Sequence, residues 1–136
     1  MATTRGSGSS YAVGNVPPQV VWTIVRGDTA SFKVYVTDDL KAPLILEDWS
    51  IAMDIRRPNL LANKGVITDD STLVLSLTPW HDPDDLPGEF TVFLSAAQSV
   101  LLQTGDIFDI ELSTQNDALV WTVAQGNVNI LEDVTA

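Results

Sequence analysis

"TIVRGDTASFKVYVT", residues 23–37, decides how this chain folds. After Ala30 the apolar Phe32, Val34 and Val36 alternate with Lys33, Tyr35 and Thr37. Successive side chains along a strand point to opposite faces, so this is a strand with one face in a core. The apolar run "QVVWTIV", residues 19–25, precedes it, and Arg26-Gly27-Asp28 lies between. Gly27 permits a sharp change of direction, Asp28 is expected to hydrogen-bond forward to the backbone, and Thr29 opens the next strand. The tripeptide that adhesion receptors read in displayed loops is therefore expected to be a corner between two strands.

The same alternation recurs along the chain. Ile51, Met53 and Ile55 alternate with Asp54 and Arg56, Leu73, Leu75 and Leu77 with Ser76, and Phe90, Val92 and Leu94 with Thr91. Phe108, Ile110 and Leu112 then alternate with Asp109 and Glu111, Leu119, Trp121 and Val123 with Thr122, and Val128 and Ile130 supply a last strand. Turn-forming residues separate these runs at Asp38-Asp39, Thr68-Asp69-Asp70, Pro87-Gly88, Gln115-Asn116-Asp117 and Gln125-Gly126. One stretch, "SAAQSVLLQTG", reads as a short helix capped by Ser95 and closed by Gly105. Residues 1–18 differ in kind: Gly6 to Ser10 is flexible-linker chemistry and Pro17-Pro18 is a stiff stop. The expectation is an all-β, antiparallel two-sheet sandwich, immunoglobulin-like or barrel-like, with about eight strands and one short helix over residues 19–136. A flexible, extended amino-terminal arm, residues 1–18, precedes it.

Composition narrows the function. The 136 residues suffice for one core. They include no cysteine, which excludes disulfides, thiolate metal sites and cysteine nucleophiles. "MATTRGSGSS" is not a secretory signal and no run reaches the roughly 20 apolar residues of a membrane span, so a soluble, cytoplasmically made protein is expected. The net charge is −11, unevenly placed. All seven basic residues lie within the first 64, where six acids leave +1, and the remainder holds twelve acids and no lysine or arginine. A chain so charged repels phosphate backbones, and nucleic acid is not an expected partner.

Candidate chemistry is sparse. His81, the single histidine, has Asp82 beside it, but a general base needs a held partner and a nucleophile to serve. The loop "PWHDPDDLPGE" groups Asp82, Asp84 and Asp85, weak candidates for calcium because their spacing matches no EF-hand. Of four tryptophans, Trp22 and Trp121 are in phase with core positions, whereas Trp49 and Trp80 stand where a carbohydrate-binding platform would need them. No cofactor is expected.

One resemblance covers residues 20–135. An apolar strand running into "VRGDTASFKVYVTDD", the entry "PLILEDW" at 43–49 into "SIAMDIRR", the phrase "LPGEFTVFLSAAQSVLLQTG", then "DIFDIELS" and "ALVWTVAQGNVNILEDVT" make the chain similar to small all-β phage virion proteins. These are related to the amino-terminal domain of phage baseplate upper proteins. The resemblance implies an immunoglobulin-like assembly module without catalytic activity, in which Gly27, Asp28 and Thr29 form a structural turn. Baseplate upper proteins continue beyond this domain, so a chain ending at Ala136 is expected to be a stand-alone virion part. The expected role is capsid cement or decoration, with a tail or baseplate adaptor as the related alternative and a carbohydrate-binding module as the alternative of another class. Arg5, Tyr11, Val13, Arg26, Arg56 and Arg57 are the expected contacts to other virion proteins, in a multi-copy or homo-oligomeric assembly without membrane or nucleic acid.

Overall fold

The computed structural model describes residues 3–5, 8–12, 17–38, 40–58, 71–114 and 119–132. Nine strands are described: β1 (Thr3–Arg5), β2 (Gly8–Ala12), β3 (Gln19–Val25), β4 (Ala30–Thr37), β5 (Trp49–Arg57), β6 (Thr72–Leu77), β7 (Glu89–Leu94), β8 (Ile107–Thr114) and β9 (Val120–Leu131). A 3-10 turn at Leu46–Asp48 leads into β5, and one helical turn, α1 (Ala96–Ser99), follows β7. The strands form two sheets, β1-β2-β4-β7 and β3-β9-β8-β5-β6. The alternating apolar residues of both meet in one core, so the fold is an all-β sandwich.

The core is locked by aromatic rings from both sheets. Trp22 of β3 stands edge-on to Phe32 of β4 at 4.8 Å and to Phe108 of β8 at 6.3 Å. Phe90, Met53, Ile55, Ile110 and Leu112 fill the space around them, all fully buried. These are the in-phase positions of the sequence pattern, which is why burial and alternation agree.

Three expectations need correction. The sheets are not purely antiparallel: β3 runs parallel to β9 from Gln19↔Gln125 to Val25↔Leu131, and β2 runs parallel to β4 through Ser10↔Tyr35. The corner at residues 26–29 sends β4 into the opposite sheet, so β3 cannot form a hairpin with it and lies against the last strand instead. Nor is Gln125-Gly126 a turn; both sit inside the 12-residue strand β9. Gly126 is there because Phe108 and Val20 flank it, and a Cβ would lie 2.0 Å from the Val20 carbonyl oxygen and 2.6 Å from the Phe108 ring. The stretch expected to be a helix up to Gly105 stops after one turn, for a reason that belongs to the contacts described below. The expected turns at 68–70 and 115–117 lie outside the described residues. As for the arm, the backbone of β1 and β2 continues the sheet edge beside the last residues of β4.

Strand directions define two poles. At one, β3 ends, β4 begins, β7 ends and β8 begins, bringing together residues 26–29 and 95–106. At the other, β4 ends, β5 and β7 begin and β8 ends, bringing together residues 38–48 and 80–88. Among the described residues no helix is long and apolar enough to cross a membrane.

Candidate interaction surfaces

The first pole holds two of the expected contact residues, Arg26 and Arg57, and both bond to the rest of the chain. At the corner, Gly27 takes a φ of 88° and the Asp28 N–H donates to the Val25 carbonyl at 3.1 Å. Asp28 is exposed and supplies its backbone, not its carboxylate, so the expected side-chain tie is absent. The Ser99 hydroxyl binds the corner instead, accepting from the Gly27 N–H at 2.8 Å and donating to the Ala96 carbonyl at 2.7 Å.

Arg26 donates to Glu132 at 3.2 Å and to the carbonyls of Val100 and Leu102. Arg57 reaches the intervening Leu101 carbonyl at 3.1 Å and grips Asp106 through two bonds of 2.8 and 2.9 Å. The Asp106 hydrogen bond and charge raise the Arg57 pKa, with burial opposing. Three successive carbonyls are thus held by two arginines rather than by the N–H groups of a further helical turn. This explains why α1 ends early despite the reciprocal Ser95–Gln98 capping box. Arg26 and Arg57 are a clamp of the fold, and the side chain of each remains about a third exposed. Arg56, on the outer face of β5, is half-buried opposite Ile107. Arg5 and Tyr11 lie in β1 and β2, and Val13 is outside the described residues.

The second pole is organised around one buried carboxylate. Asp85 is buried in the loop between β6 and β7, where it forms an ion pair with Lys33 through Oδ1. Its Oδ2 accepts from the Asp82 N–H and from the Thr91 hydroxyl, each at 2.9 Å. Burial opposes its ionisation, but Lys33 and these hydrogen bonds outweigh it and hold the carboxyl below its ordinary range. In return the Asp85 hydrogen bond raises the pKa of Lys33.

Around this centre Trp80 and Thr91 exchange backbone hydrogen bonds and Leu86-Pro87-Gly88-Glu89 closes a turn at 3.0 Å with Gly88 at φ 79°. The Gly88 carbonyl accepts from Val36, whose own carbonyl accepts from Leu44, which ties the loop to residues 43–45. The two segments enclose a cleft of about 200 Å³ lined by Leu44, Ile45, Leu46, His81 and Pro87 among others, with Glu47 at its rim.

Two of the three calcium candidates, Asp82 and Asp85, have carboxylates engaged within the loop, and the exposed Asp84 contributes its backbone N–H. Asp85 uses both oxygens as described and Asp82 accepts from the Asp84 N–H at 2.9 Å. Among the described residues no group of three potential ligands converges on a metal position. His81 does not face Asp82; its Nδ1–H donates to the Glu89 carbonyl at 2.6 Å. Trp49 packs edge-on to Trp121 at 6.0 Å, half-buried against the core, whereas Trp80 is exposed on the opposite sheet beside Thr91. The two therefore do not share a sugar-binding face.

A third surface is the outer face of the five-stranded sheet, where Asp54 lies directly opposite Asp109 and accepts from the Ser76 hydroxyl at 2.8 Å. Burial, with the Asp54 charge beside it, raises the Asp109 pKa. Sequence reasoning missed the clamp, the Asp85 centre and the cleft. Only the density of Asp and Pro in 80–89 signalled the last two.

Fold and surfaces together define the class: an all-β sandwich with a clamped pole and a clefted pole. Comparison with family models and with curated proteins finds no match.

Proposed function

We propose that this protein is a non-enzymatic structural component of a bacteriophage particle, binding neighbouring virion proteins as a capsid cement or decoration protein. The observation that carries the reading is the arm. Its backbone continues the edge of the four-stranded sheet as β1 and β2, and among the described residues β2 pairs in parallel with Tyr35 to Thr37 of β4. The main-chain chemistry that pairs the arm with this sheet edge serves a neighbouring sheet edge equally well. The sequence resemblance to phage virion modules supports the same role. Many copies, each contributing a modest contact, would gain strength from simultaneous engagement across the lattice.

The test is deletion of residues 2–16 followed by measurement of incorporation into particles. Incorporation is expected to fall steeply, and unchanged incorporation refutes the role of the arm. Imaging of labelled protein in purified particles distinguishes the head from the tail or baseplate position.

A further inference from the structure

The acidic loop at the second pole is built more rigidly than a solvent-facing turn requires. The connection between β6 and β7, residues 78–88, is fixed by a buried aspartate, a backbone bridge, a histidine–carbonyl bond and a glycine turn. A buried carboxylate is costly unless fully paired, and Asp85 is fully paired. The result is a preformed cleft, and preformed surfaces bind without an ordering cost.

The chemistry of the cleft selects its occupant. Its volume, about 200 Å³, is below the roughly 300 Å³ at which small-molecule pockets begin, so it suits one or two side chains rather than a whole ligand. The lining is mixed: Pro43, Leu44, Ile45, Leu46 and Pro87 give an apolar wall, in which Ile45 is 65% exposed, and Glu47, His81 and Asp85 give a polar one. The surroundings are anionic: with Asp85 neutralised by Lys33, the described residues of 38–48 and 81–89 hold six further carboxylates against one lysine, Lys41. Among the described residues Glu47 makes no ion pair. Since Nδ1 of His81 donates to Glu89, Nε2 of the neutral ring carries a lone pair and can only accept.

We propose that this cleft is a docking site for an extended protein segment in which a branched apolar side chain alternates with arginine or lysine. The apolar side chain enters between Ile45 and Pro87. The adjacent cation meets Glu47, and a donor on the segment satisfies His81 Nε2. The site rests on the assembly reading only in that its partner is a protein, and it is separate from the arm.

The experiment uses the full chain, labelled with nitrogen-15 and titrated with a blocked nine-residue peptide of alternating leucine and arginine. A counterpart with glutamate in place of arginine is the control. Saturable shifts are expected at the amides of Ile45, Leu46, His81 and Gly88 with the basic peptide alone. Ile45→Asp is expected to weaken binding roughly ten- to hundredfold, the loss of one buried apolar side chain, and Glu47→Lys to weaken it as well. Both side chains are exposed, so thermal melting should confirm that the variants fold. Shifts confined to the Asp54–Asp109 face, equal binding of the glutamate peptide, or an Ile45→Asp variant with undiminished affinity would each overturn the proposal. Particle incorporation of the same variants separates the two readings. Peptide binding at the cleft by a protein that never enters particles refutes the assembly reading alone. Incorporation by a protein whose cleft binds nothing refutes the cleft alone.

Discussion

Replacing Asp85 by alanine tests whether one carboxylate organises the clefted pole. The substitution removes the acceptor for the Asp82 N–H and the Thr91 hydroxyl, both at 2.9 Å. A donor left unsatisfied in a part-buried site costs about 1–3 kcal/mol. The loop is at the surface and water can reach it after relaxation, so the lower half of that range applies to each, giving about 2–4 kcal/mol in total. The ammonium of Lys33 is exposed enough to turn to water and adds nothing to this figure. Asp85→Asn keeps one acceptor oxygen and should cost less, while Asp84→Ala, at an exposed position, should stay within about 0.5 kcal/mol. Urea denaturation of the three variants gives the order directly.

The pH dependence follows from the depressed pKa of Asp85. A carboxyl held below its unfolded value contributes stability above that unfolded value, about 3.9, and loses it as pH falls through the folded value. The gap between wild type and Asp85→Asn should therefore be constant from neutral pH to about 4 and narrow below it. An Asp85→Ala variant no less stable than Asp84→Ala, or a gap that widens in acid, refutes the reasoning.

Other perturbations address the rest of the fold. Gly126→Ala forces a methyl group to within 2.0 Å of the Val20 carbonyl oxygen, so it should cost more than about 3 kcal/mol or release β3, seen as accelerated amide exchange at Val20 and Trp22. At the clamp, Arg57→Ala leaves buried Asp106 with the Gln103 N–H as its remaining bond and should cost about 2 kcal/mol; Arg26→Ala, whose partner Glu132 is exposed, should cost less, both read from melting curves. Asp28→Glu should leave stability within about 0.5 kcal/mol, since the exposed carboxylate ties nothing. Asp109→Asn should stabilise the protein at neutral pH: a carboxyl whose folded pKa is raised is penalised when charged, and the gain should shrink as pH falls through the folded value and vanish below the unfolded one.

The framework was legible in the sequence because a strand with one face in a core leaves a period of two. Residues 19–25 and 30–37 match β3 and β4 to the residue, and β5 to β8 match to within a few residues, whereas β9 reads in the sequence as two strands. Pairing left no such trace. The parallel neighbour of β3 depends on which sheet β4 joins, and no side-chain pattern encodes that choice. Gly126 was misread because glycine marks a turn and a crowded strand with the same letter, and only the Phe108 ring distinguishes them. The clamp left no trace in the sequence because the carbonyl acceptors of the arginines lie 44 to 76 positions away in the chain. The loop 80–89 announced its acids, but that Asp85 turns inward while Asp84 turns outward depends on Lys33 and Thr91, both distant in sequence.

The parallel pairing of β3 with β9 has a mechanical consequence. The chain enters the five-stranded sheet at Gln19 and leaves it at Leu131, and these residues lie at opposite ends of the shared ladder. Tension between the arm and the far terminus pulls the two strands past each other along their length, over roughly 20 Å of paired backbone. Hydrogen bonds lying across the direction of pull are loaded together and must fail together, whereas a hairpin pulled from its open end unzips one bond at a time. A part held at one pole and strained from the other would therefore resist in shear, the stiffest geometry that a pair of strands offers.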